Sequence, residues 1–580
     1  MKILQFGILA MGALFIGQTH AVGTWSAVKN QAQFGSGGLM LLLSDGTVMS
    51  KTSSGGSGNG NIWLRLTPDS KGSYANGTWT NNIAPMHNTR LYFTSQVLTD
   101  GRVYVAGGEY GDGINLGETY DPLKNTWTLA PSLGVKISDA TSAILPDGKV
   151  MQAYVGSGVK TYIYDPIANT YAVGPTALGR YGEAVWMKLA DNSILYVHTG
   201  GTASSRFIPA QNKWVADGTV PVKLYDPFGF ETGGALLLPD GRAFFLGSQG
   251  ASAIYTPSGG ATPGTWKAGA SLPNNQGSPD APSAMMVNGK IICAVSPVPT
   301  AAQHFPSPTS FYEYDYLTDA YTRIDAPAGG STLSGASYQS VMLTLPDGTV
   351  MFVRQGSKQY YVYTPDGTPL ASGKPTISKI THTGENCLTG YTMTGTLFNG
   401  ISEGASYGDD AQMNSNYPLV RLTSGTNVFY ARTFNWNTTG VQRGALTDTT
   451  EFTLPAGLPQ GPMSLEVVAN GIASNPTPFT SCVPVGVKGK DGLQARLQRF
   501  TASSFGSMLR LHFQLEPTDA AEGTTTLQLA KADGGMIYRE ILSASGAFDR
   551  EIDLSRQGKG VFLFVLKNAK SQIVKEIAVQ

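Results

Sequence analysis

Cysteine, histidine and charge are all scarce in this chain. There are three cysteines in 580 residues, too few for a disulfide-rich scaffold, and they fit an oxidising compartment with sparing use of bridges. Charged residues make up only 14 %, with forty basic residues balanced by forty acidic ones. That balance gives no electrostatic reason to expect nucleic acid or an anionic membrane as partner. Low charge also excludes disorder, whose chains are polar and strongly charged. The longest apolar stretch is Ile3–Ile16, short for a membrane span. Lys2 precedes it, and Thr19-His20-Ala21 places small residues at −3 and −1 of a cleavage site. Residues 1–21 therefore read as a secretory signal peptide, and the protein is expected to be soluble, without a membrane span, and secreted or held at the cell surface.

What is abundant is glycine, with 71 residues, alongside 33 prolines and 10 % aromatics. This composition suits turn-dense β structure with an ample core. One turn recurs seven times: Asp45-Gly46, Asp100-Gly101, Asp147-Gly148, Asp191-Asn192, Asp240-Gly241, Asn288-Gly289 and Asp347-Gly348. The steps are 55, 47, 44, 49, 48 and 59 residues. Each turn follows a hydrophobic run and precedes a β-branched strand, which is a hairpin signal. Hairpins repeated at a period of about 50 predict an array of small sheets, and seven of them predict seven blades of a β-propeller.

Each turn leads on to paired aromatics: Tyr120 with Trp127, Tyr164 with Tyr171, Phe207 with Trp214, Tyr255 with Trp266, and Tyr314 with Tyr321. Gly107-Gly108 and Gly200-Gly201 end strands in blades two and four. The pattern resembles the kelch repeat and extends over about 350 residues. Blade seven has Tyr363-Thr364-Pro365 but lacks the second aromatic, and Gly23-Thr24-Trp25 supplies it from the other end of the chain. The N-terminal strand is thus expected to complete blade seven.

The expected fold is all-β: a seven-bladed kelch-type propeller over 22–375, an immunoglobulin-like β-sandwich over 376–485 and a small C-terminal β-sandwich over 486–580. Gly560-Val561-Phe562-Leu563-Phe564-Val565 and Lys575-Glu576-Ile577-Ala578-Val579-Gln580 resemble the C-terminal sorting domains of type IX secreted proteins. That resemblance implies secretion machinery as a partner. Cys387 and Cys482 bracket the second domain and could bridge its first and last strands, whereas Cys293 reads as a buried thiol.

The turns also serve as a ruler for the innermost strands. Eight residues before each turn stand Gly37, Tyr92, Asp139, Glu183, Thr232, Asp280 and Gln339, with Arg90, Arg180, Tyr181, Phe230, Glu231 and Tyr338 alongside. Carboxylates, arginines and aromatics in one ring fit a polyhydroxyl ligand: carboxylates accept paired hydroxyls, arginine donates a fork, and rings cover sugar C–H faces. The four carboxylates are also the oxygen donors that calcium prefers. Equally, they could be hydrated or bind the backbone of neighbouring blades.

A seven-bladed propeller followed by an immunoglobulin-like domain, with Glu403–Gln412 and Tyr417–Leu422 where a loop enters the propeller, resembles galactose oxidase and the related glyoxal oxidases. The resemblance implies a copper held by two tyrosines and two histidines, one tyrosine being cross-linked to cysteine. Arg90-Leu91-Tyr92 matches the first tyrosine, and Tyr338-Gln339 falls where the second tyrosine and a histidine stand. Gln412 falls at the second histidine and Gly37 at the cysteine. Glutamine lacks the imidazole nitrogen that Cu(II) favours, so copper is not expected. Among the six histidines, His87 alone precedes a channel strand closely enough to approach that site. The leading expectation is a monomeric binding protein for carbohydrate, through Arg90, Tyr92, Asp139, Arg180, Tyr181, Glu183, Glu231, Asp280, Tyr338, Gln339 and Gln412. Two readings stay beside it: a carbohydrate-active enzyme (an atypical copper oxidase, or a hydrolase or lyase using the carboxylates), and an adhesive surface protein.

Overall fold

A computed structural model describes residues 22–579 except 57, 139–140, 155–158, 180–182, 384–387, 404–414, 460, 482–496, 506, 516–523, 532–534, 543–544, 558–559 and 569–571. The signal-peptide reading and the pair Cys387 and Cys482 fall outside the described residues. The chain forms two compact units, one ending at Thr480 and the other beginning at Ser481. Among the described residues no helix is long and apolar enough to cross a membrane.

The first unit opens with seven antiparallel sheets, the blades of a propeller. Their inner strands are Ser36–Leu42, Thr94–Val97, Ser142–Ile144, Trp186–Lys188, Ala235–Leu237, Ser283–Met285 and Ser340–Thr344, and these pack against one another around the axis. Every repeated turn joins an inner strand to the second strand of its blade. The turns share one geometry. The N–H of the second turn residue donates to the carbonyl three residues back, as from Gly46 to Leu43 at 3.0 Å and from Gly348 to Leu345 at 3.0 Å. The first residue's side chain accepts the N–H two residues on, as Asp45 does from Thr47 at 3.0 Å and Asn288 from Lys290 at 3.0 Å. Only the second residue needs positive φ, which explains glycine there, or Asn192 at φ 64°. Aspartate recurs at the first position as a hydrogen-bond acceptor.

Aromatic rings join the blades. Tyr104 stacks on Tyr164 at 4.5 Å, Phe244 on Tyr314 at 4.3 Å, and Trp63 on Trp127 at 6.0 Å. Blade six carries an extra short strand, Gln276–Gly277, against the end of Ile291–Pro297. In blade seven the outermost strand is Thr24–Ala27, antiparallel to Tyr361–Thr364 with Trp25 opposite Tyr363. Trp25 lies within 5.6 Å of both Phe311 and Phe352, ring centre to ring centre, and so ties blade seven to blade six.

The immunoglobulin-like domain is built from eight strands between Thr376 and Thr480. Its strand Asn427–Phe434 pairs through its first half with Leu419–Ser424 and through its last residues with Asp448–Thr453. This switch of partner lets a continuous eight-stranded sheet curl around a core that includes Met393, Val420, Phe452 and Val467.

This domain covers the face of the propeller that carries the seven turns. Thr433 N–H donates to Ser44 O at 3.1 Å, Arg432 to Asp100 O at 2.7 Å, and Thr439 Oγ1 to Leu145 O at 3.1 Å. Ser402 Oγ reaches Leu237 O at 2.9 Å, and Gly440 packs on Asn192. The connecting Leu370 donates to Val287 O at 2.8 Å, and Gly471 packs on Leu345 and Gly348.

The second unit is a two-sheet sandwich. One sheet orders Leu497–Phe505, Met508–Leu515 and Gly546–Asp553; the other orders Met536–Leu542, Thr525–Lys531, Gly560–Lys567 and Gln572–Val579. Phe513 and Phe564 meet in its core with ring centres 5.3 Å apart.

Candidate functional site

With the turn face covered, the channel mouth lies at the opposite ends of the inner strands. Gly37 lies within its inner strand, whereas Tyr92, Glu183, Thr232, Asp280 and Gln339 fall just before theirs, where the backbone leaves the extended conformation at several points. Tyr92 has φ 52°, Asp280 φ 49° and Phe230 φ 66°. Positive φ is uncommon outside glycine, and for a bulky aromatic it marks a position that its surroundings must hold in place.

Two groups of residues gather at the mouth. The first joins blades two and seven. Tyr92 donates its hydroxyl to Gln355 Oε1 at 3.2 Å and meets Tyr110 edge-on, ring centres 6.1 Å apart. Gln355 N–H in turn donates to the carbonyl of Gln339 at 2.7 Å. The second group joins blades four, five and six. Glu183 and Glu231 pair through their backbones, Thr232 Oγ1 donates to Glu183 O at 3.3 Å, and Asp280 N–H donates to Thr232 O at 3.0 Å. Glu183 and Asp280 are half-buried, while Glu231 is buried beside Gly229 and Asp226.

Aromatic rings pair on the loops next to these inner strands. Phe230 lies parallel to Tyr225 at 6.2 Å and Phe228 parallel to His304 at 5.8 Å. Phe305 meets Tyr338 at 4.6 Å. Phe230 and Tyr110 are each 50 % exposed and Phe228 39 %, unusual for large apolar side chains that could have been buried. Tyr110, Phe228, His304, Phe305 and Gln355 were absent from the ruler because they sit on loops of irregular length. Their only signal in the sequence is the aromatic content of those loops.

Arg90 is not part of the mouth. Its guanidinium is fully buried and donates to the carbonyls of Gly107 at 2.8 Å, Gly113 at 2.5 Å and Leu116 at 2.6 Å. It also pairs with buried Glu118 at 3.1 Å. The same carboxylate accepts His87 Nδ1 at 2.8 Å, so both residues brace the blade-two loop. Arg90 is therefore structural, a correction to its place in the expected ring. Asp139, Arg180, Tyr181 and Gln412 lie outside the described residues.

At Gly37 an added Cβ would stand 2.7 Å from Lys51 Cδ and 2.7 Å from the Thr52 carbonyl. The position matched to the cross-linking cysteine thus has no room for a side chain, because Lys51 fills it. Lys51 is itself buried, donates to the Asn59 carbonyl and lies 6.0 Å from the Phe93 ring centre. Burial lowers its ammonium pKa from 10.5 to about 7.

Further down the axis, Lys188 of blade four faces Glu403 at 3.4 Å, and Asn416 Nδ2 donates to the same carboxylate at 2.8 Å. Burial raises the Glu403 pKa and Lys188 partly offsets the rise. Beside them a cavity of about 20 Å³, room for one water, is lined by Gln96, Ile144, Asn416, Tyr417 and Trp436. Tyr417 donates to the Leu42 carbonyl and stacks on Trp436 at 4.9 Å. Side chains of the immunoglobulin-like domain therefore occupy the turn end of the channel.

Residues 92–134, which form most of blade two, match the model of the kelch motif. No curated protein matches the chain. Among solved structures, a fungal alcohol oxidase described as having catalytic diversity among the AA5 family, in complex with copper, is similar at 14 % identity with a TM-score of 0.47. The match covers 80 % of this chain and all of that one.

Proposed function

We propose that this is an exported binding protein that recognises carbohydrate at the open mouth of its propeller. The observation that carries this reading is the presence on one rim of exposed rings (Tyr110, Phe228 and Phe230), half-buried Tyr92 and the hydroxyl acceptors Glu183, Asp280 and Gln355. Aromatic faces cover the C–H faces of sugar rings, and carboxylate and amide oxygens accept their hydroxyls. Tyr92 and Phe230 are held at positive φ on that rim, a conformational cost that a binding role accounts for.

Copper-radical oxidation is not part of the proposal. Tyr92 and Tyr338 are suitable donors, but glutamine stands at residue 339, and Gly37 is packed against Lys51. That donor set does not fit the metal.

A glycan array probed with the purified protein tests the reading, with Tyr92→Ala and Phe230→Ala as controls. Each substitution should weaken binding roughly tenfold, the loss of about 1–2 kcal/mol of ring contact, and leave the melting temperature nearly unchanged. Binding that ignores both substitutions, or no binding at all, would contradict it.

A further inference from the structure

The first described residues lead into an ion cluster at the seam of blades six and seven. Gly23 N–H donates to Glu313 Oε1 at 3.2 Å, and the Tyr363 hydroxyl donates to the same oxygen at 2.6 Å. Lys290 Nζ lies 3.0 Å from Glu313 Oε2 and 3.0 Å from Asp366 Oδ1. Asn288 Nδ2 donates to Asp366 Oδ1 at 3.1 Å. Among the described residues two carboxylates therefore share one ammonium, which leaves one negative charge of the cluster unbalanced. Glu313 is buried, so its charge depends on partners rather than on water.

The chain passes this cluster in close contact. A Cβ on Gly23 would lie 2.3 Å from Thr364 O and 2.7 Å from the Tyr363 ring, so only glycine lets the backbone approach so near. Val22 packs against the propeller core, and its nitrogen is one residue upstream of the amide that Glu313 accepts. The bond between Ala21 and Val22 is where the sequence places a leader cleavage site.

We propose that a leader peptidase hydrolyses the Ala21–Val22 bond and that the α-ammonium released on Val22 completes the Glu313–Lys290–Asp366 cluster. Water supplies the oxygen that makes Ala21 a carboxylate, and its two protons convert the Val22 amide N–H into an ammonium, which is charged at neutral pH. Before the cut, Val22 presents a neutral amide. After it, the missing positive charge arrives at the seam that the strand Thr24–Ala27 closes, so closure of the ring is completed by maturation. A charged donor strengthens such a hydrogen bond because the buried carboxylate has few competing partners.

N-terminal sequencing of the exported protein should give Val22 as its first residue. Two preparations beginning at Val22, one with a free and one with an acetylated α-amine, should then be compared by thermal unfolding. The free amine should melt higher by about 2–4 °C, and the gap should close in Glu313→Gln. If that variant fails to fold, Asp366→Asn should narrow the gap instead. Another first residue, or equal melting of the free and acetylated chains, would overturn the proposal.

Discussion

Lys51 shows how a single residue can settle what the channel excludes. Its side chain fills the space beside Gly37, and its burial lowers its pKa to about 7, whereas the unfolded chain holds the proton up to about 10.5. Below pH 7 both states carry the charge and the cost of burying it is complete. Between pH 7 and 10.5 only the unfolded chain stays protonated, so lysine's penalty fades as pH rises, by about 1.4 kcal/mol per pH unit. Denaturant titrations of Lys51→Met should show a more stable protein at pH 6, with the advantage shrinking above pH 7. Gly37→Ala should cost about 1–3 kcal/mol, because its new methyl meets the Thr52 backbone as well as Lys51. Neither effect was legible in the sequence. Counting residues back from a turn locates Gly37, but which side chain fills its space depends on packing across two strands. Arg90 was misread for a related reason. The alternation rule holds along an extended strand, yet Arg90 precedes the strand Thr94–Val97 and is followed by Tyr92 at φ 52°.

Local chemistry specified the blades themselves. A carboxylate that accepts the N–H two residues on, then a residue tolerant of positive φ, is enough to mark every inner hairpin, even where Asn288 replaces aspartate or Asn192 replaces glycine. The N-terminal strand was legible because blade seven lacks its own second aromatic and Trp25 supplies one. Trp25 meets Phe311, Phe352 and Tyr363 and donates to the Asp325 carbonyl at 2.8 Å. Trp25→Ala should lower stability by about 2–4 kcal/mol in chemical denaturation, less than for a fully buried tryptophan because its strand is partly exposed. Deleting residues 22–30 should lower the melting temperature far more, since the strand pairing with Tyr361–Thr364 goes as well. A deletion with unchanged melting would mean that the strand does not close the ring. The loops around the mouth were less legible. Phe228, His304 and Phe305 come together only because loops of blades five and six fold towards each other, and no spacing rule encodes that.

In the propeller unit the two faces are put to different uses. The seven turns share one hydrogen-bonded geometry and lie together on the face that the immunoglobulin-like domain and its connecting segment cover. The opposite rim varies from blade to blade, with Tyr92, Glu183, Thr232, Asp280 and Gln339 at equivalent places. On the proposed reading, that variety suits an irregular, hydroxyl-rich ligand, with the exposed rings as its stacking surfaces. The account therefore predicts not only that a glycan binds but where. A crystal structure with the tightest glycan from an array should place a sugar ring against Tyr92 or Phe230, with hydroxyls on Asp280, Glu183 or Gln355. A glycan seated on the immunoglobulin-like domain, or on the outer edges of the blades with the mouth empty, would contradict it.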